Sequence, residues 1–150
     1  MKRLLKAAMV LAMVAGVWTA VPASAEAAAT AKRVQVSGEI IDSWCYTTEI
    51  MYAQGSAHYQ CAVWCAVGGI PVSIKGDDGK VYVILRLEND GASNAGEGNK
   101  IVKIQGHQVT VDGDLYERDG VRYLFINKVA DDKGIVNLTH AEYGIQPFGK

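Results

Sequence analysis

The residues best suited to chemistry are three cysteines and a histidine in the first half of the chain. Cys61 and Cys65 stand with His58 in the stretch SAHYQCAVWCAVGGIP, and Cys45 lies upstream in IDSWCYTTE. At 3.6 residues per helical turn, separations of three and four residues put His58, Cys61 and Cys65 on one stripe. An imidazole and two thiols would therefore share one face of a helix, which we predict over residues 57–67.

The ends of this helix also have sequence signals. Ser56 is a suitable N-cap, and Gly68 with Gly69 is a typical helix stop. In so small a domain, the loop that carries Cys45 should pack near the helix. The four side chains then predict a four-coordinate zinc site or a soft-ligand site for Cu(I). The predicted metal ligands are Cys45, Cys61, Cys65 and His58.

Two alternatives to a metal site remain open. Cysteine is among the most buried residue types, so this face could be core, with Cys45 in a structural disulfide to Cys61 or Cys65. The chain would then be an exported module that binds a ligand or a protein. A redox-active cysteine pair is the third possibility, and the odd number of cysteines leaves at least one outside simple pairing.

The neighbours of the cysteines have simpler interpretations. Asp42 could orient His58 through a hydrogen bond, although a solvated cap at the end of a strand is the more common role for such a residue. The aromatic residues that flank the cysteines are interpreted as packing residues that could also shield a metal–thiolate centre: Trp44, Tyr46, Tyr59 and Trp64. His107 and His140 are predicted to be exposed. The sequence has no Cys-x2-Cys-His, Gly-x-Ser-x-Gly or phosphate-loop motif, so no enzymatic activity is predicted.

The first 25 residues predict a secretory signal peptide. Lys2, Arg3 and Lys6 precede an apolar run over residues 7–21, and Ala-Ser-Ala at 23–25 favours cleavage after Ala25. The run is too short to span a bilayer comfortably, so no membrane anchor is expected after cleavage. A periplasmic or secreted location follows, where thiols tend to become disulfides or metal ligands.

The charge of the remaining chain limits its partners. Residues 26–150 hold twelve basic and sixteen acidic side chains, a formal net charge of −4. An acidic domain with scattered lysines and arginines is poorly suited to nucleic acid. The expected partner is an unidentified protein or small ligand, and no nucleic acid.

The rest of the chain predicts one small β domain over residues 33–150, after a flexible lead at 26–32. VQVSGEIID alternates with the period of a strand, and Asp78-Gly79 and Asp119-Gly120 predict hairpins. Residues 100–129 are interpreted as β structure, residues 89–99 as an exposed loop, and the tail from about 131 as less ordered. These elements predict a mainly β, closed barrel of five to six antiparallel strands, with one short Cys-bearing helix after the first strand.

Two resemblances support this architecture. The opening stretch VQVSGEIID and the closing stretch GHQVTVDGDLYERDGVRYLFINKV resemble the first and last strands of OB-fold domains. In OB-folds the helix lies between the third and fourth strands, whereas the predicted helix follows the first. The pattern GEIIDSWCY with His-x2-Cys-x3-Cys and Gly-x-Pro-Val also resembles a group of small exported bacterial proteins. That resemblance implies export and a family role for the cysteines, but no activity.

Overall fold

The computed structural model describes residues 29–91 and 99–143. The predicted signal peptide and most of the predicted loop at 89–99 lie outside these ranges. The strands are Lys32–Asp42 (β1), Val72–Gly76 (β2), Val81–Leu87 (β3), Asp90–Gly91 (β4), Gln108–Arg118 (β5) and Val121–Asp132 (β6). The helices are Ser43–Thr48 (α1), Gly55–Val67 (α2) and Lys100–Lys103 (α3), with a 3-10 turn at Ala141–Tyr143.

The five long strands close into a barrel, as predicted. Strand β1 pairs with β2 and β5, β2 pairs with β3, β5 pairs with β6, and β3 pairs with β6. The two-residue β4 adds to β3 outside the ring. The prediction of a wholly antiparallel sheet is wrong at one place, because β3 and β6 run parallel. A ring with an odd number of strands cannot alternate direction at every neighbour, so one pair must be parallel.

The helices correct a second expectation. Two helices rather than one follow β1, and the cysteines are divided between them: Cys45 is in α1, and Cys61 and Cys65 are in α2. The predicted β region at residues 100–129 begins with the short helix α3 rather than with a strand. The side chain of Asn99 caps this helix by accepting a hydrogen bond from the Ile101 backbone N–H. Helix α3 occupies the connection from the third to the fourth long strand, where OB-folds place their helix.

Both predicted hairpins are confirmed. The Gly76 N–H donates to the Lys80 carbonyl across the β2–β3 turn, and β5 pairs with β6 up to Arg118 and Val121. The barrel interior is filled by aliphatic side chains, among them Ile40, Ile74, Leu124 and Ile126, all 0–1% exposed. Among the described residues, no helix has the length and apolar character needed to cross a membrane.

Strand β1 delivers its last residue to one end of the barrel. It pairs with β5 over Lys32–Glu39 and with β2 over Gly38–Asp42, so the strand passes from one partner to the other at Gly38. A Cβ at Gly38 would lie 2.2 Å from the Lys75 carbonyl oxygen, which explains why only glycine fits this crossing. The close approach fixes the end of β1, where α1 begins.

Candidate metal centre

Asp42 is the last residue of β1 and the N-cap of α1. Its Oδ1 accepts hydrogen bonds from the backbone N–H groups of Trp44 at 2.8 Å and Cys45 at 3.2 Å. Its Oδ2 lies 3.4 Å from Nε2 of His58. The residue is 1% exposed, so the expectation of a solvated cap is wrong about solvent, although Asp42 does cap the helix. Helix α2 covers this strand end, which the sequence alone could not show.

Helix α1 buries Cys45, which is 2% exposed. The segment after it has an uncommon backbone. Glu49, Met51, Tyr52 and Ala53 all have positive φ, between 53° and 65°, a conformation that costs L-residues free energy. This segment turns the chain from α1 back to the start of α2.

Helix α2 confirms the prediction for residues 57–67, and Gly68 is its C-cap. The predicted N-cap Ser56 is wrong, since the helix begins at Gly55. Side chains and backbone from elsewhere replace a local cap: Glu39 Oε1 accepts from the Gly55 N–H at 2.6 Å, and the Asn137 carbonyl accepts from the Ser56 N–H at 2.8 Å. A carboxylate from β1 thus anchors the start of α2.

The ring of His58 is oriented by the backbone of the positive-φ segment at residues 49–53. Its Nδ1 lies 2.6 Å from the Met51 carbonyl oxygen, and a carbonyl can only accept, so Nδ1 carries the proton. The opposite nitrogen, Nε2, faces Asp42. A histidine whose Nδ1–H is held by a backbone carbonyl is the arrangement that directs Nε2 toward a metal ion.

Four side chains converge at this end of the barrel. One ligand atom from each of Asp42, Cys45, His58 and Cys61 lies within 4.8 Å of the others. The Sγ atoms of Cys45 and Cys61 are 3.9 Å apart. Two sulfurs bound to one tetrahedral zinc ion at about 2.3 Å would be about 3.8 Å apart. The cluster therefore has dimensions that a single metal ion can bridge.

The cluster differs by one residue from the four predicted ligands. It contains Cys45, His58 and Cys61, and it adds Asp42 in the place that the sequence assigned to Cys65. Cys65 lies one helical turn beyond Cys61 on α2, close enough to Asp42 for each side chain to shift the pKa of the other. The two other histidines are paired elsewhere, His107 with Asp132 and His140 with Glu142.

The carboxylate of Asp42 influences the pKa values of the cysteine thiols around it. Burial alone would raise the pKa of Asp42, but the adjoining side chains of His58, Cys65 and Cys45 and the Cys45 backbone N–H outweigh burial and hold that pKa well below its usual range. Burial, and then the hydrogen bond and charge of Asp42, raise the pKa of Cys45 to about 12 and raise that of Cys65 as well. These two thiols are protonated at neutral pH, so they are weak nucleophiles without a cation nearby.

All three cysteines belong to the part of the chain that the structure describes, and all three are free. The 3.9 Å between the Cys45 and Cys61 sulfurs is far from the bonded distance of about 2.05 Å. The structure therefore contains no disulfide between these cysteines, in contrast to the structural-disulfide alternative.

One side of the cluster opens to a cleft of about 340 Å³. Met51, Tyr52, Ala57, Gln60, Cys61 and Trp64 line it. Trp44 and Trp64 are each 55% exposed, so their interpretation as packing residues is wrong. Asp42, Cys45 and His58 lie at the closed end of the cluster, and Cys61 lies at the open end.

The comparisons with known proteins place no constraint on this site. Scans against protein-family models, curated proteins and solved structures find no match to the chain. The assignment of a function therefore rests on the side chains themselves.

Proposed function

We propose that this protein is an exported, non-catalytic domain that binds one thiophilic metal ion, Zn²⁺ or Cu(I), at the end of its barrel. The observation that carries the proposal is the convergence of Asp42, Cys45, His58 and Cys61 within 4.8 Å. Thiolate, imidazole and carboxylate are the three ligand types that zinc uses in proteins.

The burial of these groups favours a metal over a purely structural role. Fully burying a carboxylate, a histidine and a thiol costs free energy unless each is paired. Core packing would be served better by aliphatic side chains, as in the adjoining barrel. A cation at the centre would balance the buried negative charge of Asp42 and draw the thiols into their thiolate form.

The electrostatics disfavour a thiol–disulfide enzyme. Such enzymes lower the pKa of their attacking cysteine, whereas Asp42 and burial raise the pKa values of Cys45 and Cys65. A bound cation would lower the pKa values of these thiols, and Cys45 and Cys61 would then serve as thiolate ligands. Metal binding should accordingly release protons, and affinity should fall as the pH falls.

The proposal is tested on protein purified from cells that express the full chain. Bound zinc and copper are measured by mass spectrometry, and added Zn²⁺ or Cu(I) is titrated under reducing conditions against a chromophoric chelator of known affinity. We expect one ion per chain. Cys45→Ser should weaken both affinities steeply, because serine is a poor neutral ligand at pH 7. His107→Ala is the matched control, since His107 lies outside the cluster.

The same preparation tests export. The purified protein should lack its first 25 residues and should fractionate outside the cytoplasm. A wild type that binds neither ion, or a Cys45→Ser variant that binds both as tightly as the wild type does, would refute the metal site. An intact N-terminus in the cytoplasm would refute export alone.

A further inference from the structure

Five potential metal donors lie at this end of the barrel, one more than the cluster contains. Asp42, Cys45, His58 and Cys61 form the compact group, and Cys65 adjoins it through Asp42. A tetrahedral ion can use only four of them, and Cu(I) commonly uses fewer. The surplus donor therefore raises the question of whether every ion would use the same set.

The donors differ in chemical type and in exposure. The oxygen and nitrogen donors, Asp42 and His58, are 1% and 2% exposed. The half-buried Cys61 and Cys65 are one turn apart on α2, and Cys61 borders the open cleft. The buried Cys45 lies 3.9 Å from Cys61, sulfur to sulfur. Three thiols therefore lie beside one carboxylate and one imidazole.

The sulfur donors and the oxygen and nitrogen donors suit different ions. Zn²⁺ accepts a tetrahedral set of carboxylate, imidazole and two thiolates. Cu(I) is softer and favours sulfur over carboxylate. The thiolates of Cys45, Cys61 and Cys65 would together bind Cu(I) without help from Asp42 or His58.

We propose that the cluster contains two overlapping metal sites that share Cys45 and Cys61. The zinc site is completed by Asp42 and His58, and the Cu(I) site is completed by Cys65. This inference rests on the proposed function, and it adds which residues select which ion. Because the two sites share both thiolates, we expect the two ions to compete for one place in each chain.

The test is a crossed pair of substitutions in the full-chain protein, each titrated with Zn²⁺ and with Cu(I). Cys65→Ser should lower Cu(I) affinity by at least about tenfold, because a serine hydroxyl is a poor ligand for Cu(I). It should leave Zn²⁺ affinity within about twofold, because the hydroxyl can still donate a hydrogen bond to Asp42. Asp42→Asn should lower Zn²⁺ affinity by at least about tenfold and leave Cu(I) affinity within about twofold. Asparagine keeps the N-cap of α1, so the fold should persist. His58→Gln is the second variant for zinc, in case Asp42→Asn does not fold by circular dichroism.

A displacement experiment tests the overlap directly. Cu(I) added to the zinc-loaded wild type should release one Zn²⁺ per chain. Retention of both ions would show two separate sites, and equal losses for both ions in Cys65→Ser or in the zinc variants would show one common ligand set. Either result would overturn the inference while leaving metal binding intact. A wild type that binds neither ion would instead refute the proposed function.

Discussion

The barrel hairpins and the loop between α1 and α2 make tight turns by opposite means. In the hairpins, Gly79 and Gly120 adopt φ values of 78° and 80° with open space where a Cβ would be. In the loop, Met51, Tyr52 and Ala53 adopt positive φ in succession although none is glycine. Left-handed backbone costs an L-residue roughly 1–2 kcal/mol, and glycine avoids this cost.

The difference shows where the protein accepts strain. The hairpins only reverse the chain, and glycine does this at little cost. The loop must present one carbonyl, that of Met51, to Nδ1 of His58 at 2.6 Å. Backbone strain that persists beside a cluster of buried polar groups is typical of a functional site. The stability of the barrel therefore offsets the strain of the loop, and the loop orients the ring of His58.

The largest expected effect is in the barrel itself. Leu124 is fully buried between strands, so Leu124→Ala should lower the free energy of unfolding by about 2–5 kcal/mol through a cavity. Urea unfolding measures this change. Leu138→Ala is the control, because Leu138 is 64% exposed and its loss should cost within about 0.5 kcal/mol. Equal costs for the two leucines would contradict the view that the barrel core supplies stability.

A hairpin glycine should be costly to replace. Gly79→Ala forces a residue with a Cβ into positive φ and should lower the free energy of unfolding by about 1 kcal/mol. Gly91→Ala also meets open space but carries no such backbone constraint, and it should be close to neutral. Thermal melting of both variants checks the pair. A neutral Gly79→Ala would show that the turn tolerates left-handed strain as the loop does.

The reverse substitution in the loop should have the opposite sign. Ala53→Gly relieves strain at φ 59° but adds freedom to the unfolded chain, so it should raise the free energy of unfolding by about 0.5 kcal/mol. Ala130→Gly in β6 relieves no such strain and should lower stability by about 0.5–1 kcal/mol. Urea unfolding of both variants makes the comparison. A loss of stability in Ala53→Gly would mean that the loop is not strained.

The smallest effect is the pH dependence of the β2–β3 hairpin. The Tyr82 hydroxyl donates to Asp78 Oδ2 at 2.7 Å and lowers the pKa of Asp78 to about 2. Burial, aided by Asp78, raises the pKa of Tyr82 to about 12. The Asp78 contribution is complete above its ordinary pKa of 3.8 and is lost as the pH falls through 2. The Tyr82 contribution is complete below 10 and is lost as the pH rises through 12.

Melting temperatures measured across these two pH windows test the hairpin pair. Tyr82→Phe should flatten both slopes relative to the wild type. Lys80→Ala, which removes an exposed partner of Asp78, should leave the alkaline slope in place. Unchanged slopes in Tyr82→Phe would show that other groups cause them.

The barrel could be predicted because its signals are local. Alternating apolar residues and Asp-Gly turns defined most strands, and the spacing of His58, Cys61 and Cys65 defined α2. The parallel β3–β6 pair and helix α3 could not be found, since neither has a period of its own. Asp42 was placed in solvent because aspartate is rarely fully buried. Its position directly before α1 identified the cap, but only the packing of α2 over the strand end shows that it faces His58.

The arrangement of the donors along the chain has a consequence for folding. All five lie between residues 42 and 65, whereas Lys32 of β1 must find Leu115 of β5 to close the barrel. The entropic cost of closing a loop grows with the logarithm of the number of residues in it. Bringing residues 42 and 65 together should therefore cost about 1 kcal/mol less than pairing Lys32 with Leu115. On the proposed function, an ion could therefore be captured while the barrel is still open. A chain refolded with added Zn²⁺ should then close its barrel faster than one refolded with a chelator.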